Sequence, residues 1–366
     1  MPEYWFKYGV TEVSMEIPGE IAQKNLEFKR GEMDEKLWEK IRDFVYDLIK
    51  DSGSGRITIL YDHSGDEFST IILKHVVECF IEEGGAEKLT LLTSHWRLDP
   101  TSGKDHLQKI LKKHGIRVRS LTASEAEKSS YFGLSMAREL AEASTRILIT
   151  TSEPHGLLGK ASLKEALTLG GYVEIDLDEN PFEKLNEAWD EISSRLPLHA
   201  ITAFNGEVYL GDAKEVDREI SEERFTTPVE DFDIVFVGGG GYPKDHTLQS
   251  VIHILGLLEN AVIDEGLIAV IAECKGGVGS SLFLKMLLQG NGSGLDWELI
   301  KLAKKVVENR RVVFTSALPK SILRNVLGVR GFDTPQDMLT YALRIYSREA
   351  RILILEEPRL KPVRSR

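Results

Sequence analysis

The chain has 366 residues, 42% of them hydrophobic and 28% charged, with a formal net charge of −12. That is long enough for two domains, each with its own core, and the acidic balance argues against nucleic acid or an anionic membrane as partner. Cys79 and Cys274 are the only cysteines and both sit in apolar patterns, which argues against a disulfide framework or a thiolate zinc site and predicts a reducing compartment.

The N-terminus has no uninterrupted apolar core, because Glu3, Lys7, Glu12 and Glu16 break it, and no apolar run is long enough to span a bilayer. A cytoplasmic protein is expected. The Glu and Lys density of helical stretches such as Glu35-Lys36 and Lys301, Lys304, Lys305 hints at a thermophile.

Strand-like runs at Ile57–Asp62, Lys88–Thr93, Ile116–Leu121, Arg146–Thr151 and Val173–Leu177 alternate with amphipathic helical runs at Glu35–Asp51, Ser69–Glu83, Asp105–His114 and Leu134–Ala143. Asn180-Pro181 marks a stop before a helix over Phe182–Ser194. Ala200–Leu210, centred on Asn205-Gly206, predicts a hairpin. Polar Ser221–Asp231, with Pro228 inside it, is the best boundary. Further strands follow at Asp233–Val237, Leu267–Ala272, Arg311–Ser316 and Arg351–Leu355.

This rhythm predicts an α/β protein of two domains, 1–228 and 229–366, each with a largely parallel sheet flanked by helices and a ligand cleft between them. The basic tail Lys361–Arg366 is expected to fray or to pack back on the first domain.

Common signatures fail. A dinucleotide fingerprint starting at Gly238 or Gly239 would need its third glycine at Pro243 or Lys244, and Gly159-Lys160 is followed by Ala161 where a P-loop needs a hydroxyl. No zinc-helix motif or nucleophile elbow occurs.

Three polar clusters follow apolar runs, where a parallel sheet presents its site residues: Tyr61 to Glu67, Thr93 to Arg97, and Thr151 to Gly156. His95 and His155 stand out, since imidazole exchanges protons near neutrality; the plainer alternative is a ring satisfied by local backbone. His63 also fits a strand end, whereas His75, His106 and His114 read as helix-surface or packing residues and His199 as structural.

Further on, Gly238 to Gly241 lead into Tyr242-Pro243-Lys244-Asp245, and Glu273-Cys274 leads into Gly276 to Gly279. Two Gly-rich turns after strands place backbone N–H groups on one sheet edge, a setting suited to an anion. A tight turn and helix cap is the alternative reading of Tyr242 to Asp245.

The Gly-Gly-Tyr-Pro-Lys-Asp block with its later Ala-Glu-Cys, together with Asp62-His63-Ser64, Thr93-Ser94-His95 and Glu153-Pro154-His155, resembles the nickel-pincer-nucleotide lactate racemase family, over most of residues 55 to 280. The resemblance implies racemisation or epimerisation of a small 2-hydroxy acid: a histidine takes the hydroxyl proton while hydride passes reversibly to the cofactor. By resemblance His95 and His155 are the acid/base pair; Asp62, Ser64, Lys164, Gly240 and Gly241 hold the cofactor; Arg97 and Lys244 bind the substrate carboxylate.

The chain also departs from the family. Gly65 stands where the family has a phosphate-binding arginine, and Glu165 where it has the tethering lysine, with Lys164 adjacent. Leu169–Glu179 carries no nickel-ligating histidine, so no metal ligands are assigned. Gln249-Ser250 and His253 replace a Tyr-Gln pair and a lysine. Two further readings therefore stay open: a metabolite-binding or regulatory protein without the nickel cofactor, and a cofactor-free acid/base isomerase or lyase. A homo-oligomer also stays open.

Overall fold

A computed structural model describes residues 1–25, 35–84, 86–98, 100–116, 119–204, 206–221, 223–225, 232–358 and 362–364. The chain divides into two compact units. The first comprises Lys29–Glu153, Ala161–Glu223 and Arg364–Arg366; the second comprises Met1–Phe28, Pro154–Lys160 and Arg224–Val363.

The first unit is built on a six-stranded sheet in the spatial order Glu207–Asp212, His199–Phe204, Thr145–Thr151, Ile57–Asp62, Leu89–Ser94, Arg119–Thr122. All neighbours are parallel except the outermost hairpin. Ile57–Asp62 and Thr145–Thr151 are buried at every position, as expected of central parallel strands covered on both faces. Helices Glu35–Ser52 and Glu67–Glu82 supply Ile41, Val45, Ile72, Leu73 and Val76 to a core with Ile57, Ile59, Ile147 and Ile149. Asp66 caps the second of these helices by accepting the Phe68 N–H at 3.2 Å.

Reading these strands by sequence position, chain order reverses between Ile57–Asp62 and Thr145–Thr151: the chain moves outward through Leu89–Ser94 and Arg119–Thr122, then returns to the other side of the first strand. Such a switch point opens a crevice at the carboxyl ends of the two strands, because their following loops run in opposite directions.

The second unit has its own six-stranded sheet, in the order Arg330–Phe332, Arg311–Thr315, Val262–Ile271, Phe232–Gly238, Ile352–Leu355, Gln23–Asn25, with every neighbour parallel. Strand alternation divides its core between two faces. Val235, Val237, Ile268 and Val270 meet helices through Leu248, Leu255, Phe283, Ile300 and Leu323. Ile234, Phe236, Leu267 and Ala269 meet Tyr4, Phe6, Met15, Ile17 and the helix Pro335–Tyr346.

Three expectations need correction. Residues 1–25 join the second unit rather than the first: the hairpin Glu3–Tyr8/Thr11–Glu16 buries Tyr4, Phe6 and Met15 on that sheet, and Gln23–Asn25 pairs with Ile352–Leu355. Leu134–Ala137 is a strand paired with Lys128–Tyr131, and only Arg138–Glu142 is helical. The positive φ of Phe132 (52°) and Gly133 (84°) makes the two-residue hairpin turn that the helical periodicity concealed. Val173–Leu177 forms a single bridge, Met136 to Val173, instead of a strand. The boundary Ser221–Asp231 and the turn residue Asn205 fall largely or wholly outside the described residues. Among the described residues no helix is long and apolar enough to cross a membrane.

Candidate functional site

The switch point of the first unit is lined by polar side chains from three adjacent strand ends. Ile57–Asp62 ends in Asp62 and Ser64, Leu89–Ser94 in Ser94 and Arg97, and Thr145–Thr151 in Thr150, Thr151 and Ser152; register places Asp62 opposite Ser94. Arg97 Nη2 lies 2.7 Å from Asp62 Oδ2 and 3.1 Å from Thr150 Oγ1, and Thr150 Oγ1 donates to the same Asp62 oxygen at 2.9 Å. The guanidinium also stands over the Trp96 ring at 5.4 Å and 3.7 Å from Glu153.

The Arg97 side chain is 7% exposed and that of Asp62 fully buried. Burial pushes the Asp62 carboxyl above its ordinary range, against the pull of Arg97 and Thr150.

This arrangement uses only part of what it buries. Asp62 Oδ1, Ser64 Oγ, Ser94 Oγ, Arg97 Nε and Nη1, Thr151 Oγ1 and Ser152 Oγ are buried atoms without a hydrogen-bond partner among the described residues. A buried donor or acceptor left unpaired costs about 1–3 kcal/mol, so a group of them at a switch point argues for oxygen atoms supplied from outside the chain. Arginine N–H groups call for acceptor oxygens; an ionised Asp62 oxygen calls for a donor such as a hydroxyl.

His95 follows Ser94 directly. Its carbonyl accepts the Leu98 N–H at 2.9 Å, and Gly103 of the helix Pro100–Lys113 passes so close that a β-carbon there would lie 2.8 Å from His95 Cβ. His63, expected as a lesser candidate, is fully buried; its Nε2 lies 2.9 Å from His106 Nδ1, and its Nδ1 lies 3.4 Å from the Tyr61 hydroxyl, which reaches Thr70 at 2.7 Å. His106, read from sequence as a surface or packing residue, is thus the outer member of a buried polar chain. Burial, with Lys109 adding to it, lowers its pKa.

The first glycine run of the second unit is occupied by the chain itself. Gly240 and Gly241 have φ of 92° and 74°. A β-carbon on Gly238 would lie 2.2 Å from the Glu356 carbonyl, and one on Gly241 2.9 Å from Lys7 Cβ. These glycines let the chain's own backbone approach. The Tyr242 N–H donates to the Gly9 carbonyl at 2.7 Å, while fully buried Asp245 accepts the N–H groups of Gly9 at 2.8 Å and Glu273 at 3.1 Å.

The anion at this edge is the chain's own Asp245, and Gly240 and Gly241, expected to hold a cofactor, pack against Lys244 and the N-terminal hairpin. The second glycine run is likewise knitted to its neighbour, Gly276 N–H to His246 carbonyl at 2.8 Å and Leu248 N–H to Gly277 carbonyl at 3.0 Å. Lys244 is half-buried with its stem along Gly240. Burial pushes the Cys274 thiol well up, as suits a packing residue.

His155 lies in the second unit and His95 in the first. The His155 Nδ1 accepts the N–H groups of Leu157 and Leu158, both at 3.3 Å, and its ring lies flat on His253 with centroids 4.6 Å apart and planes 8° from parallel. Lys164, the expected tether, points elsewhere: its Nζ donates to Asn186 at 3.0 Å and lies 3.3 Å from Glu165. Glu165 closes a capping box with Ser162, so its carboxylate serves the start of the helix Leu163–Leu169.

Comparison with solved structures finds the lactate racemase apoprotein from Thermoanaerobacterium thermosaccharolyticum similar over 100% of both chains, with a TM-score of 0.70 and 16% sequence identity. The two share a fold. No protein-family model and no curated protein matches the chain.

The residues present do not fit a tethered nickel-pincer nucleotide. Lys164 is held on Asn186, Glu165 is a helix cap, and Gly65 occupies a turn at φ 77° where the resemblance expects an arginine. Among the described residues no group of three or more His, Cys, Asp or Glu side chains is placed to hold a metal ion.

Proposed function

We propose that the chain binds a small 2-hydroxy acid or sugar acid at the switch point of its first unit. The observation that carries this reading is the set of unpartnered buried polar atoms at three adjacent strand ends, two of them on Arg97 and one on the Asp62 carboxylate paired with it. Arg97 Nε and Nη1 present N–H groups on two different edges of a guanidinium already fixed by Asp62, so a ligand carboxylate can take either one with little loss of side-chain freedom. Asp62 Oδ1 accepts from a ligand hydroxyl, and Ser64, Ser94, Thr151 and Ser152 adapt as donors or acceptors to the remaining oxygens. A monofunctional anion would satisfy Arg97 and leave Asp62 Oδ1 unmet. A hydroxy acid meets both.

Calorimetric titration of the full chain with sodium lactate and sodium glycerate tests this reading. Saturable binding is expected, weakened at least about tenfold, or 1.4 kcal/mol, by Arg97→Gln. Equal affinity for propionate would remove the role given to Asp62, and a wild-type chain that binds no hydroxy acid would remove the reading itself.

A second reading, racemase or epimerase, is favoured by the whole-chain likeness to the lactate racemase apoprotein and by His95 standing directly after Ser94. In it, His95 exchanges a proton with the ligand hydroxyl. Because the residues present do not fit the tethered cofactor, no step is assigned to that group. Bound nickel and near-ultraviolet absorption in protein produced beside the cofactor-synthesis enzymes would favour this reading, together with turnover of one lactate enantiomer into the other; colourless, metal-free, inactive protein would remove it.

A further inference from the structure

Strand register draws one line of polar side chains across four strands of the first unit. Thr202 lies opposite Thr150, Thr150 donates to Asp62 on the next strand, and Asp62 lies opposite Ser94. All four share one face of the sheet, because Tyr61, Ile149, Ile201 and Ala203 at the alternate positions belong to the core of the other face. Two residues earlier on the shared face stand Leu60, Leu92, Leu148 and Ala200, each fully buried. The apolar core of this face therefore ends at the polar line. The Ser152 N–H continues the strand ladder by donating to the Ala203 carbonyl at 2.8 Å, which sets Ser152 on the pleat after Thr150, above the same face.

Thr202 is fully buried, and its Oγ1, like Asp62 Oδ1, Ser94 Oγ and Ser152 Oγ, has no hydrogen-bond partner among the described residues. Lactate brings only two carboxylate oxygens and one hydroxyl. With the carboxylate on one edge of Arg97 and the hydroxyl on Asp62 Oδ1, Ser94, Ser152 and Thr202 still have nothing to bond, and so does the other free edge of Arg97. Thr202 lies two strand spacings from Asp62, about 10 Å along the sheet, which is further than the span of a three-carbon acid anchored at Asp62. Thr150 between them is already engaged with Asp62 and Arg97. We infer that the ligand of this site is a polyhydroxylated acid, an open-chain aldonic acid longer than glycerate, and that Thr202 selects for its distal hydroxyl groups. The inference rests on the binding reading above and narrows its substrate class. In the sequence Thr202 was legible only as one residue of a hairpin strand, since the register that lines it up with Thr150 and Asp62 is a property of the formed sheet.

Calorimetric titration of the full chain with sodium lactate, glycerate, threonate and gluconate tests the inference. Affinity is expected to rise with the number of hydroxyls, by at least about tenfold from lactate to gluconate. Sodium hexanoate, as long as gluconate but without hydroxyls, is expected to bind no tighter than lactate. Thr202→Val keeps the side-chain shape and removes the hydroxyl. It is expected to lower gluconate affinity about tenfold with lactate affinity unchanged, whereas Thr202→Ser keeps both.

Gluconate bound no tighter than lactate by the wild type overturns the substrate class whatever the variants do, and so does hexanoate bound as tightly as gluconate. In both cases saturable lactate binding leaves the binding reading standing. A Thr202→Val chain with unchanged gluconate affinity, or with lactate weakened as much as gluconate, overturns the selecting role of Thr202; the second pattern is what a purely structural threonine gives. Thr202→Ala takes the place of the valine variant if that chain does not fold. A wild-type chain that binds none of these hydroxy acids removes the binding reading, and this inference with it.

Discussion

Arg97 and Asp62 form an ion pair of 2.7 Å at the end of the first strand of the first unit, with both side chains out of solvent. Such a pair contributes little net stability compared with apolar residues, yet removing one partner strands the other charge. Asp62→Ala is expected to lower unfolding free energy by about 3–5 kcal/mol. Adding Arg97→Ala to that variant should cost much less than Arg97→Ala alone. Guanidinium denaturation of the four chains of this cycle measures the coupling, and additive losses would show that the two groups do not depend on each other.

The second unit closes its strand edge with its own carboxylate. Asp245→Ala would leave the Gly9 and Glu273 N–H groups without their acceptor, an expected cost of about 2–4 kcal/mol from two buried donors. Asp245→Asn keeps an acceptor oxygen and should cost less. Limited proteolysis gives a local readout, since release of the Gly9 turn exposes the hairpin Glu3–Tyr8/Thr11–Glu16 to cleavage before the sheet unfolds. Equal resistance in wild type and Asp245→Ala would show that Asp245 does not hold the hairpin.

These two sites show what the sequence could and could not tell. Strands such as Ile57–Asp62 and Phe232–Gly238 were legible because both faces of a central parallel strand are buried, which leaves an uninterrupted apolar run. The polar residues that follow them were legible as strand ends for the same reason. Their partners were not, because partnership is set by which strands lie side by side. Asp62 meets Arg97 and Thr150 only once the switch point is formed, and Gly9 meets Asp245 across 236 positions of chain. A glycine run tells that something approaches the backbone closely. It does not tell whether a ligand or another part of the chain does so, and here the chain itself fills the space. Leu134–Ala143 misled by apolar periodicity, since four of its residues pair as a strand after a turn that begins at Phe132.

Lys164 offers a test of how far the family resemblance extends into the site. Its amine is engaged with Asn186 and Glu165 and is part of no buried network, so Lys164→Ala should change stability by less than about 1 kcal/mol. Hydroxy-acid affinity should remain at the wild-type level. If protein made beside the cofactor-synthesis enzymes loses a wild-type absorption band in Lys164→Ala, the lysine is a tether after all and must leave Asn186 to become one.

Acid should weaken the first unit through its buried histidines. His106 and His199 both have pKa values lowered from about 6.5, mainly by burial; Lys109 adds to the effect on His106, while Asp212 and Asp51 oppose it at His199. A histidine with a depressed folded pKa binds protons more readily when unfolded. Its contribution is therefore fully present above the unfolded value and is lost as pH falls from about 6.5 through the folded value. Asp62, Asp245 and Asp296 act in the opposite sense, because burial raises their carboxyls and the folded state holds those protons more tightly. The histidine term is isolated by difference: between about pH 7.5 and 5.5, wild type should lose more stability than His106→Gln, whose amide can still reach His63 but does not titrate. Parallel stability profiles for the two chains would mean that His106 takes up its proton as easily in the fold as out of it.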